Sequence, residues 1–372
     1  MVEATLHHMR LGGVFDHIGL GFHRYSTDRR WFLPHFEKML YDQAMISMAC
    51  LEAFQLTGNE KYAKIAREIF TYVLRDMTDK QGGFYSAEDA DSEGEEGIFY
   101  IWTEKELVEI LGKDEGQKLA KVFGFIDVGN FQEEASGHTT GNNIPYFPKD
   151  RETLAKKIDM TLDDFNAFIE KSRQKLFNVR EKRIHPLKDD KILTDWNGLM
   201  IAALSQGGQV LGDEAYINAA KNAAGFVMKS LRDKNGKLMK RSRLGKAGLQ
   251  PHLDDYSFMV FGLLNLYEAT FDPSYLGSAL ELTEIMVEDF ADINGGFFIG
   301  SKDAEKLMIR AKDSYDGAIP SGNSVAAMNL FRLGKITGNT KWTDLGHKTL
   351  KAFTNQAKQS PTGFAHMLTA FM

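Results

Sequence analysis

Four segments of this chain repeat one internal spacing, which restricts the fold to copies of a single supersecondary unit packed side by side. A small residue (Ala44, Gly198, Ser257, Ser324) precedes a turn residue (Gly58, Gly212, Phe271, Gly338) by 14 positions each time. An exit glycine (Gly83, Gly236, Gly296, Gly363) follows the turn after 25, 24, 25 and 25 positions. In the first copy the apolar residues Met45, Met48, Leu51 and Phe54, then Tyr62, Ile65, Ile69, Tyr72 and Val73, recur at three- and four-residue steps, the period of a helix. Each copy reads as helix, tight turn, helix. Glycine supplies the left-handed cap of the first helix, and Asn59 or Asp213 caps the second.

The remainder supplies two further pairs. Thr103 with Glu106 forms a capping box for a helix reaching about residue 122, and Thr161 with Asp164 opens another to about 179, a fifth hairpin with a long insertion. A helix over 2–11 pairs with one starting near Phe364. Six hairpins predict an all-α (α/α)6 barrel, the six-hairpin toroid, as a single domain over 1–372. Helical pattern runs to both ends, so the chain is expected to be a fragment of a longer protein. In such a ring the first helix of each hairpin is inner, and the long connections (83–102, 236–254, 296–322) gather on one rim. Short β-hairpins are expected there: Phe84-Tyr85-Ser86 with Ile98-Phe99-Tyr100-Ile101-Trp102, and Gly296-Phe297-Phe298-Ile299 with Leu307-Met308-Ile309-Arg310.

Composition narrows the function classes. A net charge of −6 with interspersed signs gives no reason to expect nucleic acid. No apolar run approaches the roughly 20 residues that span a bilayer. With no basic leader or apolar signal core at the start, a soluble cytoplasmic protein is expected. The single cysteine, Cys50, leaves no intrachain disulfide or cysteine-rich zinc site and reads as a buried spectator. Asp89-Ala90-Asp91-Ser92-Glu93-Gly94 imitates a calcium loop, but Tyr100 stands where the bidentate Glu belongs. Gly19-Leu20-Gly21 lacks the strand and helix of a dinucleotide fold. No cofactor or metal is expected.

What remains is acid/base and hydroxyl-binding chemistry. Asp42-Gln43, Trp196-Asn197, Asp255-Tyr256 and Gly322-Asn323 occupy equivalent first-turn positions of inner helices, where backbone amides favour anionic or hydroxyl-rich ligands. Polar side chains beside aromatic rings suit a sugar, so Arg24, Tyr25, Trp31, Asp42, Trp102, Trp196, Asn197, Tyr256 and Asn323 are the expected substrate-binding residues. Asp42 and Asp255 read equally as helix caps. The expected catalytic residues are Glu88, Asp89 and Asp91 from the acidic loop, His252, Asp254 and Asp255 from a His-x-Asp-Asp run, and His35.

Long motifs among these residues also resemble a known family. Gly21-Phe22-His23-Arg24-Tyr25-Ser26, Pro34-His35-Phe36-Glu37-Lys38-Met39-Leu40-Tyr41-Asp42, Gly82-Gly83-Phe84-Tyr85-Ser86-Ala87-Glu88-Asp89-Ala90-Asp91-Ser92, Asp190-Lys191-Ile192-Leu193-Thr194-Asp195-Trp196-Asn197-Gly198 and His252-Leu253-Asp254-Asp255-Tyr256 are similar to the thioredoxin-domain-containing family that includes the spermatogenesis-associated proteins. That resemblance implies a thioredoxin-like domain in the parent protein, followed by a toroid similar to N-acylglucosamine 2-epimerases and six-hairpin glycosidases. This chain has no Cys-x-x-Cys, so no redox activity carries over. The expected function is a carbohydrate-active barrel binding a small-molecule sugar, epimerase/isomerase-like with His35 and His252 or glycoside hydrolase-like with paired carboxylates. The alternative is a non-catalytic ligand-binding or interaction module accompanying the thioredoxin-like domain.

Overall fold

The structure is a computed structural model and describes residues 1–131, 140–305 and 308–372. Its α-helices, in chain order, are α1 (Val2–Leu11), α2 (Leu40–Thr57), α3 (Glu60–Asp76), α4 (Glu104–Leu111), α5 (Lys113–Val122), α6 (Arg151–Lys157), α7 (Leu162–Arg180), α8 (Thr194–Leu211), α9 (Glu214–Ser230), α10 (Leu253–Thr270), α11 (Pro273–Phe290), α12 (Gly322–Thr337), α13 (Thr340–Gln359) and α14 (Ala365–Phe371). Strands are two or three residues long. The hairpins α8–α9, α10–α11 and α12–α13 stand as the spacing requires. Gly58, Gly212, Phe271 and Gly338 all take left-handed φ values, +67°, +66°, +52° and +69°. Asp213, Asp272 and Asn339 then cap α9, α11 and α13. The expected helix over 103–122 is broken in two at Gly112, whose φ of +88° ends α4 after its Thr103–Glu106 capping box.

Contacts divide the chain into two units. The first comprises Met1–Asp42, Glu60–Val73 and Ala87–Asp189, and the second Gln43–Asn59, Leu74–Ser86 and Asp190–Met372.

In the second unit, α8 and α10 are buried on nearly every face, whereas α9, α11 and α13 bury a stripe. Glycine sets the approach of the buried pair: a Cβ on Gly198 would lie 2.4 Å from the Phe258 carbonyl carbon, and one on Gly262 would lie 2.6 Å from the Gly198 oxygen. Three outer helices end in the same turn. The Asp79, Asp233 and Asp292 N–H groups donate to the carbonyls of Gly83, Lys237 and Gly296 at 2.8, 2.8 and 3.0 Å, and the backbone then bridges Thr78 to Phe84, Arg232 to Leu238 and Ala291 to Phe297. In the fourth copy, where Gln359 stands in place of the aspartate, the exit is instead a 3-10 turn, Pro361–Phe364.

Each of these turns is clamped from the first turn of a buried helix. Asn197 accepts from the Phe84 N–H (2.8 Å) and donates to the Phe84 carbonyl (3.0 Å) and to Leu193 (2.8 Å). Asn323 does the same to Phe297 (2.8 and 3.0 Å) and reaches the Asp313 carbonyl at 2.6 Å. At the equivalent position Tyr256 accepts the Leu238 N–H at 3.0 Å. All three side chains are fully buried. This corrects the expectation that Asn197, Tyr256 and Asn323 bind substrate: their polar groups satisfy loop backbone that would otherwise be buried without partners.

The first unit is centred on ions. Asp16 receives both terminal guanidinium nitrogens of Arg180 (2.9 and 2.8 Å), the Lys38 ammonium (2.8 Å) and the N–H groups of Ile18 and Gly19 (both 2.9 Å). All three ionised side chains are buried. Burial works against ionising Asp16, yet Arg180 and Lys38 hold its carboxyl well below the usual range. A three-stranded sheet of Lys38–Met39, Ala87–Glu88 and Lys188–Asp189 ties the segments of this unit together. Its apolar core includes Trp102, Leu107, Phe123, Phe165 and Leu176.

The sheet overturns one expected hairpin. Phe84 is taken by its own turn, Ala87–Glu88 by the sheet, and Trp102 bridges Asn143, so 84–86 and 98–102 do not pair. Trp102 is fully buried with the Arg183 guanidinium 3.9 Å over its ring, which corrects its expected role as a sugar-stacking surface. In the other expected pair, Ile299 bonds Ala311 rather than the 307–310 segment, and Leu307 lies outside the described residues.

Two measurements of stability follow. Phe271→Gly is expected to gain about 1 kcal/mol in chemical denaturation by relieving a left-handed β-carbon, while Gly212→Ala loses a similar amount. Asn197→Ala or Asn323→Ala, orphaning a buried N–H and C=O together, is expected to cost about 3 kcal/mol.

Candidate functional site

In the second unit three aspartates surround one lysine at the entries to α8 and α10. Asp195 takes the Lys240 ammonium at 2.6 Å, and Asp255 takes it at 3.3 Å through Oδ1. Asp255 Oδ1 also accepts the Asp195 N–H (3.2 Å), and Oδ2 accepts the His252 N–H (2.8 Å). Burial and the Asp195 charge push the Asp255 carboxyl well above its ordinary value. Burial opposes the Lys240 charge, but Asp255 and Asp195 raise its pKa nonetheless. Asp255 is fully buried with both oxygens engaged, so it organises the cluster from inside.

Asp254 differs. It is only part-buried, and it accepts the N–H of Gly322 at the start of α12. Burial, then the Asp195 and Asp313 charges, raise it to about 6 against the pull of Lys240. Gly322 is required beside it, since a Cβ there would come within 2.2 Å of Asp254 Oδ1. His252 is exposed, with its pKa lowered by partial burial and by Lys240, and Trp196 is part-exposed next to Asp195. A carboxyl that exchanges its proton near neutrality, close to a fixed ammonium, has the properties of an acid/base centre.

The first unit gathers a second polar group. Arg24 donates to Tyr41 (3.2 Å) and pairs with Glu37 (2.9 Å); Glu37 lies 3.5 Å from His35 Nε2, and His35 Nδ1 meets Glu96 at 2.7 Å. The Tyr25 ring lies 5.1 Å from the His35 ring. Asp42, in the first turn of α2, is pushed to about 8 by burial, with Glu37 adding to it and Arg24 opposing. Its Oδ2 is buried without a hydrogen-bond partner.

The other expected residues are committed to structure. Glu88 takes the Tyr72 hydroxyl at 2.6 Å and Lys188 at 3.4 Å within the sheet. Asp89 is exposed and closes its own turn onto the Ala90 N–H at 2.7 Å. Exposed Asp91 pairs with Glu96 in the two-stranded ladder that presents Glu96 to His35. Trp31 is part-buried at φ +62°, and its carbonyl accepts the Val14 N–H at 3.1 Å. Of the expected catalytic set, His35, Glu88, Asp89 and Asp91 belong to the first unit, and His252, Asp254 and Asp255 to the second.

Two participants were missed. Asp195 stands three residues before Gly198 as Asp254 stands three before Ser257, so aligning the repeats would have found it. Lys240 follows no repeat position and is brought in by the strand Arg241–Arg243 pairing with Ile192–Leu193. Among the described residues no group of three or more His, Cys, Asp or Glu side chains forms a metal site, and no helix is long and apolar enough to cross a membrane.

The chain is similar to spermatogenesis-associated protein 20 of Homo sapiens, 40% identical over 399 residues, and to its counterpart in Rattus norvegicus, 39% identical over 399 residues. Both alignments cover 100% of this chain but only 51% and 50% of the relatives, so the chain spans about half their length. No family model matches it. Among solved structures it is similar to cellobiose 2-epimerase from Bacillus thermoamylovorans B4167, with a TM-score of 0.52 and 10% identity over 92% of this chain and 66% of that one. This likeness shows the fold class, that of the six-hairpin α/α toroids, as the repeats require.

The raised Asp42 carboxyl predicts a pH dependence of stability. Between its ordinary unfolded value near 4 and about 8, the folded state binds the extra proton, so stability present in acid is lost as pH rises through that window. Asp42→Asn removes the titration. The melting temperature of the variant minus that of the parent is expected to grow from pH 4 to pH 9; a constant difference would contradict the assignment.

Proposed function

We propose that this chain is a carbohydrate-active toroid in which Asp254 moves a proton on a sugar, in an epimerase/isomerase-like or a glycoside hydrolase-like reaction. The observation that carries this reading is the part-exposed Asp254 carboxyl, held at about 6 by burial and by Asp195, next to the buried Asp195–Lys240–Asp255 network. Either reaction needs a proton delivered or withdrawn near neutral pH, beside a carbonyl in the first case and at a glycosidic oxygen in the second. Lys240, held by two aspartates, fixes the charged surroundings of Asp254. His252 offers a neutral imidazole and Trp196 an accessible ring for stacking. The fold likeness to a cellobiose epimerase supports a sugar as the substrate class, by analogy of fold.

The test is a panel of free reducing sugars, followed by NMR for C2 deuterium exchange, together with aryl glycosides followed by chromophore release. Asp254→Asn is expected to lower turnover by about 10²–10⁴ while leaving sugar binding intact. Gly322→Ala, which displaces the same carboxyl without altering its chemistry, should lower it as well. If Asp254 acts as the acid, activity falls as pH rises through about 6; if it acts as the base, activity rises there. Parental turnover in Asp254→Asn, or saturable binding without turnover across the whole panel, would refute the reading.

A further inference from the structure

A cleft of about 690 Å³ opens in the first unit between α1, α3, α6 and α7, lined by residues that the reading above does not use. Its volume falls within the range of small-molecule sites. Arg10 at its base is neutralised by Glu68 at 2.8 Å. Arg151 is not: it donates to Asn166 at 2.7 Å and lies 5.2 Å from the Phe147 ring centroid, both neutral partners. Lys64 stands exposed at the edge, and among the described residues neither Lys64 nor Arg151 has a carboxylate within ion-pairing distance. Burial, then Arg10, lowers Arg151 to about 10; burial, then Arg151 itself, lowers Lys64. Neither cation is closed into an ion pair, although Glu68 and Glu170 act on both from a distance and Glu152 acts on Arg151.

The surrounding carboxylates are engaged elsewhere or act on the two cations only at a distance. Glu170 is bound to Arg173 at 2.6 Å, and exposed Asp150 is engaged by the Thr153 N–H at 2.7 Å. Exposed Glu60 and Glu152 line the cleft together with exposed Lys61 and Arg67, and the Glu152 charge acts on Arg151 without pairing with it. Leu11, Ile65 and Leu162 give the cleft an apolar wall. A guanidinium held rigid by an amide and a ring is suited to bidentate contact with an oxyanion, and a second cation beside it favours a dianion over a monoanion. We propose that this cleft binds a small phosphomonoester, its dianionic head between Arg151 and Lys64 and its body against Leu11, Ile65 and Leu162. A phosphate monoester carries close to two negative charges at neutral pH, matching the two unpaired cations.

Calorimetric titration of the whole chain at low salt with phenyl phosphate, inorganic phosphate and phenylacetate tests this. Saturable binding of phenyl phosphate is expected, tighter than that of inorganic phosphate because the wall is used, with phenylacetate weakest. Arg151→Met and Lys64→Met should each weaken phenyl phosphate by about tenfold or more. Lys64 is exposed, so its substitution leaves folding intact even if that of Arg151 does not, and circular dichroism of both variants separates the two effects. The absence of saturation at millimolar phenyl phosphate, equal binding by Lys64→Met, or phenylacetate binding as tightly would each overturn the assignment.

Discussion

Folding a chain of repeated hairpins buries the loops between them, and buried loop backbone needs hydrogen-bond partners. In the second unit that need is met from the first turn of a buried helix: Asn197 on Phe84, Tyr256 on Leu238 and Asn323 on Phe297. The clamp explains why polar side chains sit at fully buried positions, and why the turns they hold share an Asp-x-Asn/Gln-Gly pattern. It also positions the chemistry. Asp254 and Asp255 immediately precede Tyr256, and Asp195 lies two residues before Asn197, so anchoring these loops fixes where the carboxyls stand.

Both units bury charge, with opposite results. In the first, two cations and two backbone amides meet the single carboxylate of Asp16, which is fully compensated and correspondingly inert. In the second, three carboxyls share one ammonium; burial and the Asp195 charge raise the enclosed Asp255 well above its ordinary value and the more accessible Asp254 to about 6. Asp254 thereby gains a proton affinity near neutrality that its sequence neighbours would not confer. The cleft between α1, α3, α6 and α7 differs again: Arg10 is paired with Glu68, while Arg151 and Lys64 make no ion pair.

Much of this was legible in the residues. The helix hairpins, their left-handed turns, the Thr103 and Thr161 caps and the terminal helices follow from spacing and local hydrogen bonding, which act within a few residues. Asp254 and Asp255 were visible as an adjacent pair at a helix start. Their division of labour was not, because it depends on Lys240 and on Gly322, which approach from distant loops. Asn197, Asn323 and Trp102 were misread for the same reason. A polar or aromatic residue at a helix entry looks alike whether it faces solvent or a buried carbonyl.

By itself, then, the sequence determined the period, the capped helix starts and the all-helical class, since these rest on contacts between residues close along the chain. Only the tertiary structure decided which side chains are buried, which strand pairs with which, and which carboxyl keeps its proton. Those outcomes depend on desolvation and on charges supplied by segments more than forty residues apart, such as Asp195 and Lys240, whose meeting no local pattern records.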